Sequence, residues 1–240
     1  MQNKPFLMVV SLLCFQITYP TTDVRIRNFK GDVKVRRGLE EAWNLVGTGM
    51  LLEDIDSILT GEVSEVVLVI DGERLFTLGG NSILDISDLR KITDRELFLY
   101  LMSQKLKNIE RPTGESKLRI ENIGVVRAER KGVQTEAEDK AAASDVWRYE
   151  VNGARALYEQ SYYPNAIVKL HKILERYATV DDGGEIHLYL GRSFEAIDES
   201  GRAIDAYRQV LERAKTSSVD SSRINRYVAA ASEAIERLKE

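Results

Sequence analysis

From Val24 onward the apolar positions first recur at every second residue. Val24/Ile26, Val33/Val35 and Val66/Leu68/Ile70 each place alternate side chains on one face, which predicts short, half-buried β-strands. Asp71-Gly72 separates the run 65–70 from the run 73–78. An Asp-Gly pair suits the positive φ angles of a type I′ turn, so a hairpin with a two-residue loop is predicted. Gly79, Gly80 and Asn81 then turn the chain into a further strand over 82–86. Thr93 and Glu96 have the spacing of a capping box, and Leu97, Phe98, Leu101, Leu106 and Ile109 follow at helical spacing. A helix over about 93–109 is predicted to close the open end of the β module. Leu118, Ile120, Ile123, Val125 and Val126 predict a strand returning to that sheet.

Residues 131–145 are small, polar and charged, the composition of a linker or a frayed helix start. Beyond them the period becomes 3.6, and two matching units appear. The first holds Ala154, Leu157, Tyr163, Ala166, Ile167, Leu170 and Ile173. The second holds Leu190, Gly191, Phe194, Ala203, Ile204, Tyr207 and Val210. A third helix over about 221–238 carries Ile224, Val228, Ala231, Ile235 and Leu238 on one side, as a terminal cap over an apolar face would. The fold class is therefore α+β in two modules: an all-β roll or sandwich with a closing helix (23–130), a linker (131–145), and helical hairpins (146–240).

Two resemblances sharpen this picture. Gly31, Asp32, Val33 and Val35, then Leu52, Asp56, Ile58, Thr60 and Gly61, then Ser64, Val66, Leu68, Ile70, Asp71 and Gly72 have the spacing of the FecR domain, which residues 24–90 resemble. Ile55 stands before Asp56 where that family usually has Gly, and Glu73 follows Gly72 where it favours Ser. The helical units resemble tetratricopeptide repeats, whose small residues let paired helices approach closely. The second unit has the usual Leu-Gly pair at Leu190-Gly191; the first offers Gly153-Ala154 instead. The first resemblance implies a bacterial envelope protein, and the second implies a protein partner held by the first helix of each repeat. The ligand-facing positions of the repeat fall on Arg148, Val151, Arg155 and Tyr158 in the first unit, and on Leu188, Arg192 and Glu195 in the second. Arg155 and Arg192 suit a bidentate clamp on a partner's carboxylate; equally, they suit pairing with Glu159 or Glu195 at helical spacing.

The first 22 residues read as a signal peptide or a short N-terminal anchor. Lys4 precedes an apolar core over 6–15, shorter than the roughly 20 residues that span a bilayer. An exported, periplasmic or envelope-associated protein follows. Cys14 is the only cysteine, and Leu13 stands where a lipoprotein signal wants a small residue.

Composition removes several function classes. Hydrophobic content of 43% with 30% charged residues is that of a folded protein, and a net charge of -4 argues against a nucleic-acid partner. His171 and His187 are the only histidines, and the motifs of nucleophilic, zinc and phosphate chemistry are missing, so no catalytic residue, metal or cofactor is expected. The loop Asp181, Asp182, Gly183, Gly184 lacks the alternating ligands of a calcium site and reads as a solvated connection. Arg25, Arg27, Lys34 and Arg36 alternate with the apolar faces of two strands expected to be neighbours. Such a stripe suits contact with anionic envelope polymers or lipid headgroups, or protection of a solvated edge. The expected function is a non-enzymatic scaffold or adaptor holding a protein partner on the repeats. The alternative is binding of cell-wall glycan or anionic polymer by the β module, for which Trp43 and Phe76 are the stacking candidates unless they are core.

Overall fold

The computed structural model describes residues 22–107 and 138–239. The apolar N-terminal segment and the strand expected over 118–126 lie outside them. Eight strands come first: β1 (Val24–Lys30), β2 (Val33–Arg36), β3 (Asn44–Leu45), β4 (Leu51–Leu52), β5 (Ser57–Thr60), β6 (Glu65–Ile70), β7 (Arg74–Leu78) and β8 (Ser82–Asp85). They form two antiparallel sheets, ordered β4-β1-β6-β7 and β3-β2-β5-β8. Alternation decides what each sheet buries. Val24, Ile26, Val66, Leu68 and Ile70 from the first sheet meet Val33, Val35, Ile58 and Leu84 from the second in one core.

The β6–β7 hairpin has Asp71 at φ 52° and Gly72 at φ 77°, as the Asp-Gly pair predicts. Its loop is one residue longer than expected, because Ile70 pairs with Arg74 and leaves Glu73 outside the ladder. Arg74 and the backbone N–H of Asp23 both donate to the Asp71 carboxylate, which fastens this turn to the start of β1.

The expected basic stripe is corrected by topology. β1 and β2 follow one another in the chain but belong to different sheets, so Arg25 and Arg27 lie on one sheet and Lys34 and Arg36 on the other. Arg25 pairs with Asp23 and Lys34 with Asp32, while Arg36 lies over the ring of Trp43. Phe76 is fully buried and belongs to the core; Trp43 is half-exposed.

A short 3-10 turn (Ile86–Leu89) leads to α1 (Asp94–Lys107), and α2 (Glu138–Glu159), α3 (Tyr163–Arg176), α4 (Glu185–Glu195), α5 (Ser200–Ala214) and α6 (Ser221–Arg237) follow. Residues 138–145, within the stretch read as a linker, are the first turns of α2. The capping box at α1 is formed: Thr93 Oγ1 accepts from the Glu96 backbone, and Glu96 accepts from the Thr93 backbone at 2.9 Å. These bonds and Arg90 hold the Glu96 carboxyl down at about 2. The helix does not close the β module. Leu97 and Leu101 enter the helical core, where α1 packs on α3, and Phe98 is left 57% exposed.

The two cores meet along α2. Trp147, Val151 and Ala154, spaced at four and three residues, face the helical core; Ala156 and Leu157 complete the β core with Ala166 of α3. Gly153 was expected to ease helix–helix approach, but it faces a strand instead. A Cβ there would sit 2.1 Å from the carbonyl oxygen of Ile83 in β8. Side chains of α2 and the residues just after it bond the outer strands. The Gln160 amide accepts from the backbone N–H of Thr77 and donates to its carbonyl, and Asn152 donates to the Asn81 carbonyl. Tyr162 stacks edge-on against Phe76 at 5.6 Å. The strand edges nearest the helices are thereby covered rather than left as templates for pairing.

Charge crosses the same seam. Lys169 of α3 is 3% exposed, and its ammonium donates to Asp88 Oδ2 at 2.6 Å with Asp85 Oδ2 at 3.6 Å. Burial opposes its charge, but the two carboxylates prevail and hold its pKa above the usual lysine value. Burial likewise opposes ionisation of Asp85, and Lys169, Ser57 and Lys172 outweigh it to hold that carboxyl low. Asn165 donates to the carbonyls of Asp88 and Arg90 beside the pair. The loop before α4 is also less solvated than expected. Asp182 is 2% exposed and accepts from the Ile186 backbone at the helix start, while Asp181 accepts from Ser217 and Ser218.

Gly153→Ala should destabilise the protein by about 1–3 kcal/mol in chemical denaturation, because α2 must move off β8. Lys169→Met should cost about 3–5 kcal/mol by stranding Asp88, and adding Asp88→Asn should recover part of that loss. Retention of full stability by Lys169→Met would show that Lys172 alone compensates the buried carboxylate.

Candidate functional site: a groove across α2, α4 and α6

From α2 onward each helix packs on the next in the chain, and α4 also touches both α2 and α6. Two adjoining hollows of about 380 and 490 Å³ run across these three helices. Arg155 of α2 and Arg192 of α4 line the smaller hollow with Tyr189; Arg223, Arg226 and Tyr227 of α6 complete it. Tyr158 and Glu195 line the larger one, where Arg192 forms the shared wall and Arg237 and Glu233 close the far side.

The sequence-predicted positions divide by helix face. Arg155, Tyr158, Arg192 and Glu195 are half-buried and reach the groove. Leu188 is 2% exposed and packs in the helical core, yet it also lines the smaller hollow. Val151 is corrected, since it is equally buried in that core and lines neither hollow. Val151 lies four residues after the buried Trp147, on the stripe that packs inward, so it presents no surface to a partner. Arg148 is exposed, with its guanidinium 4.8 Å from the centre of the Trp147 ring, and lines neither hollow.

The arginines are anchored without being neutralised at close range. Arg155 donates to Asn152 Oδ1 at 2.9 Å, and its nearest carboxylates, on Glu159 and Glu185, stand at 3.8 Å. The Arg192 guanidinium lies over Tyr189, 5.5 Å from the ring centre. Glu195, expected as one of the ion-pair partners, instead accepts from Arg237 at 2.6 Å and from the Tyr207 hydroxyl at 2.8 Å. Tyr227 is pushed up to about 12 by burial and by Glu185, so it remains a neutral hydroxyl donor. The smaller hollow thus presents four guanidinium groups, two tyrosines and one carboxylate, Glu185. That inventory favours an anionic group carried on a partly apolar segment.

Sequence reasoning missed Tyr189, Arg223, Arg226, Tyr227 and Arg237. The signal existed on α6, where Arg223 and Tyr227 are four residues apart and Arg226 and Arg237 recur at helical spacing. Reading α6 only for its apolar side concealed that polar stripe.

The two histidines lie elsewhere, in a cavity of about 920 Å³ also lined by α1 and α5. His171 packs edge-on against Tyr100 and Phe194, and among the described residues His171 Nε2 and His187 Nδ1 are buried without a hydrogen-bond partner. Burial pushes both imidazoles down, His187 to about 4, with Arg213 adding to the effect there. Among the described residues no group of three or more metal-ligating side chains converges.

Because both folded-state values lie below the ordinary 6.5, the unfolded chain binds more protons as the pH falls from 6.5 toward 4. Stability should therefore drop across that window, by up to about 1.4 kcal/mol per pH unit for each proton taken up. Thermal unfolding across pH should show this slope, and a His171→Leu/His187→Leu variant should flatten it. An unchanged slope in that variant would place the titration on other groups.

Among the described residues no helix is long and apolar enough to cross a membrane. Comparison with known proteins returns no match for this chain, whether among family models, curated proteins or solved structures.

Proposed function

We propose that this chain is a non-enzymatic scaffold, exported to the bacterial envelope, that holds a protein partner in the groove across α2, α4 and α6. The observation that carries the reading is the convergence of Arg155, Arg192, Arg223 and Arg226 from three helices on one hollow beside Tyr189 and Tyr227. The partner's recognised segment is acidic, with an apolar or aromatic residue next to its carboxylates, because guanidinium forks bind carboxylates bidentately while tyrosine faces take apolar groups. The resemblance of the helices to tetratricopeptide repeats supports a protein ligand, and the FecR-like spacing supports the envelope setting. The β sandwich, joined to α2 and α3 through a shared core, serves as the rigid base that orients the groove.

The split of Arg25 and Arg27 from Lys34 and Arg36 removes the single cationic face on which anionic-polymer binding was expected. The groove concentrates its cations instead.

Affinity capture from envelope extracts with the tagged protein, alongside its Arg155→Ala/Arg192→Ala variant, tests this reading. A discrete protein retained by the wild type should be lost with the variant, and salt should weaken its capture. The variant should unfold at the wild-type temperature, since both side chains are half-exposed. Equal capture by both proteins would refute the groove as the binding surface.

A further inference from the structure

A second concavity opens on the far side of α2, where the helical part meets the outer face of the β3-β2-β5-β8 sheet. It holds about 680 Å³, within the range of small-molecule sites. Leu59 of β5 and Ile83 of β8 form an apolar floor with Val146 of α2. Three aromatic side chains stand around it: Trp43 from the loop before β3, Tyr149 from α2, and Tyr177 at the end of α3. The Arg36 guanidinium, 5.1 Å from the centre of the Trp43 ring, constrains the plane of the indole.

The polar groups are arranged in compensated pairs. Glu150 accepts from Arg176 at 2.5 Å and from the Tyr177 hydroxyl at 3.1 Å. Arg36 donates to Ser57, which donates to Asp85 at 2.7 Å. The side chains of Arg176 and Asp85 remain 56% and 40% exposed, so both can reach a bound molecule. Arg36 and Arg176 are matched by Asp85 and Glu150, which leaves the cleft without the surplus of either sign that a polyphosphate or a bare cation requires. What such a site suits is an uncharged ring with one apolar face and a rim of hydroxyls, each both donor and acceptor. Strand addition is not open at this side, because α2 lies against β8 at Gly153.

We propose that this cleft is a saccharide-binding site. A pyranose ring lies with its C–H face on the aromatic wall, while Asp85 and Glu150 accept from its hydroxyls and Arg36 and Arg176 donate to its oxygens. The site is separate from the arginine groove and draws on both parts of the chain. Neither the β sandwich nor the helices form it alone.

The chain has two tryptophans, and Trp147 is buried in the helical core, so the two indole N–H signals report on different places. Titration of the isotope-labelled protein with chitotriose, cellotriose and maltotriose should move the Trp43 indole signal saturably with at least one of them and leave Trp147 in place. Trp43→Phe identifies the signal. Trp43→Ala and Tyr149→Ala should each weaken binding by about tenfold or more. The Arg155→Ala/Arg192→Ala variant should bind as the wild type does. A Trp43 signal unmoved by all three sugars at millimolar concentration overturns the proposal, as does unchanged affinity in both aromatic variants.

Discussion

An ammonium group 3% exposed has almost no water to solvate it, and the fold answers by bringing carboxylates to Lys169 from another part of the chain. Asp88 and Asp85 arrive from the end of the β sandwich, while Lys169 sits in α3. A buried pair of this kind stabilises little compared with apolar packing, but it tolerates no misalignment. It therefore fixes how the helices sit on the sandwich. Asn165, Gln160 and Asn152 act in the same sense, each spending its amide on strand or turn backbone that would otherwise face a helix without a partner.

Everything proposed about function depends on that seam. Because α2 is shared, one of its faces completes the β core while Arg155 and Tyr158 reach the groove with α4 and α6. A shift of α2 against β8 would alter both the spacing of Arg155 to Arg192 and the wall that Tyr149 gives the second cleft. The close approach at Gly153 limits such a shift, since the strand carbonyl occupies the space a side chain would need. The two surfaces are thus mechanically linked through one helix.

The local features were largely legible in the residues. Alternation at Val24/Ile26 and Val66/Leu68/Ile70 identified core-facing positions that are buried to within 1%. Thr93 and Glu96 cap their helix as their spacing requires, and Asp71-Gly72 adopts the positive φ angles of its turn. The candidate site was half legible. Arg155, Leu188 and Arg192 reach one hollow, but the helix that completes it had been read for its apolar side alone, and Val151 points into the core.

Periodicity, turn chemistry and capping determined which residues form strands and helices, because these depend on neighbours within about four positions. Only the tertiary structure decided what those elements face. β1 and β2 adjoin in sequence yet lie in opposite sheets, Gly153 approaches a strand rather than a helix, and α1 joins the helical core rather than the sandwich. An apolar stripe records that a face is buried but not against what. That choice is made by long-range contacts such as Lys169 with Asp88, 81 residues apart.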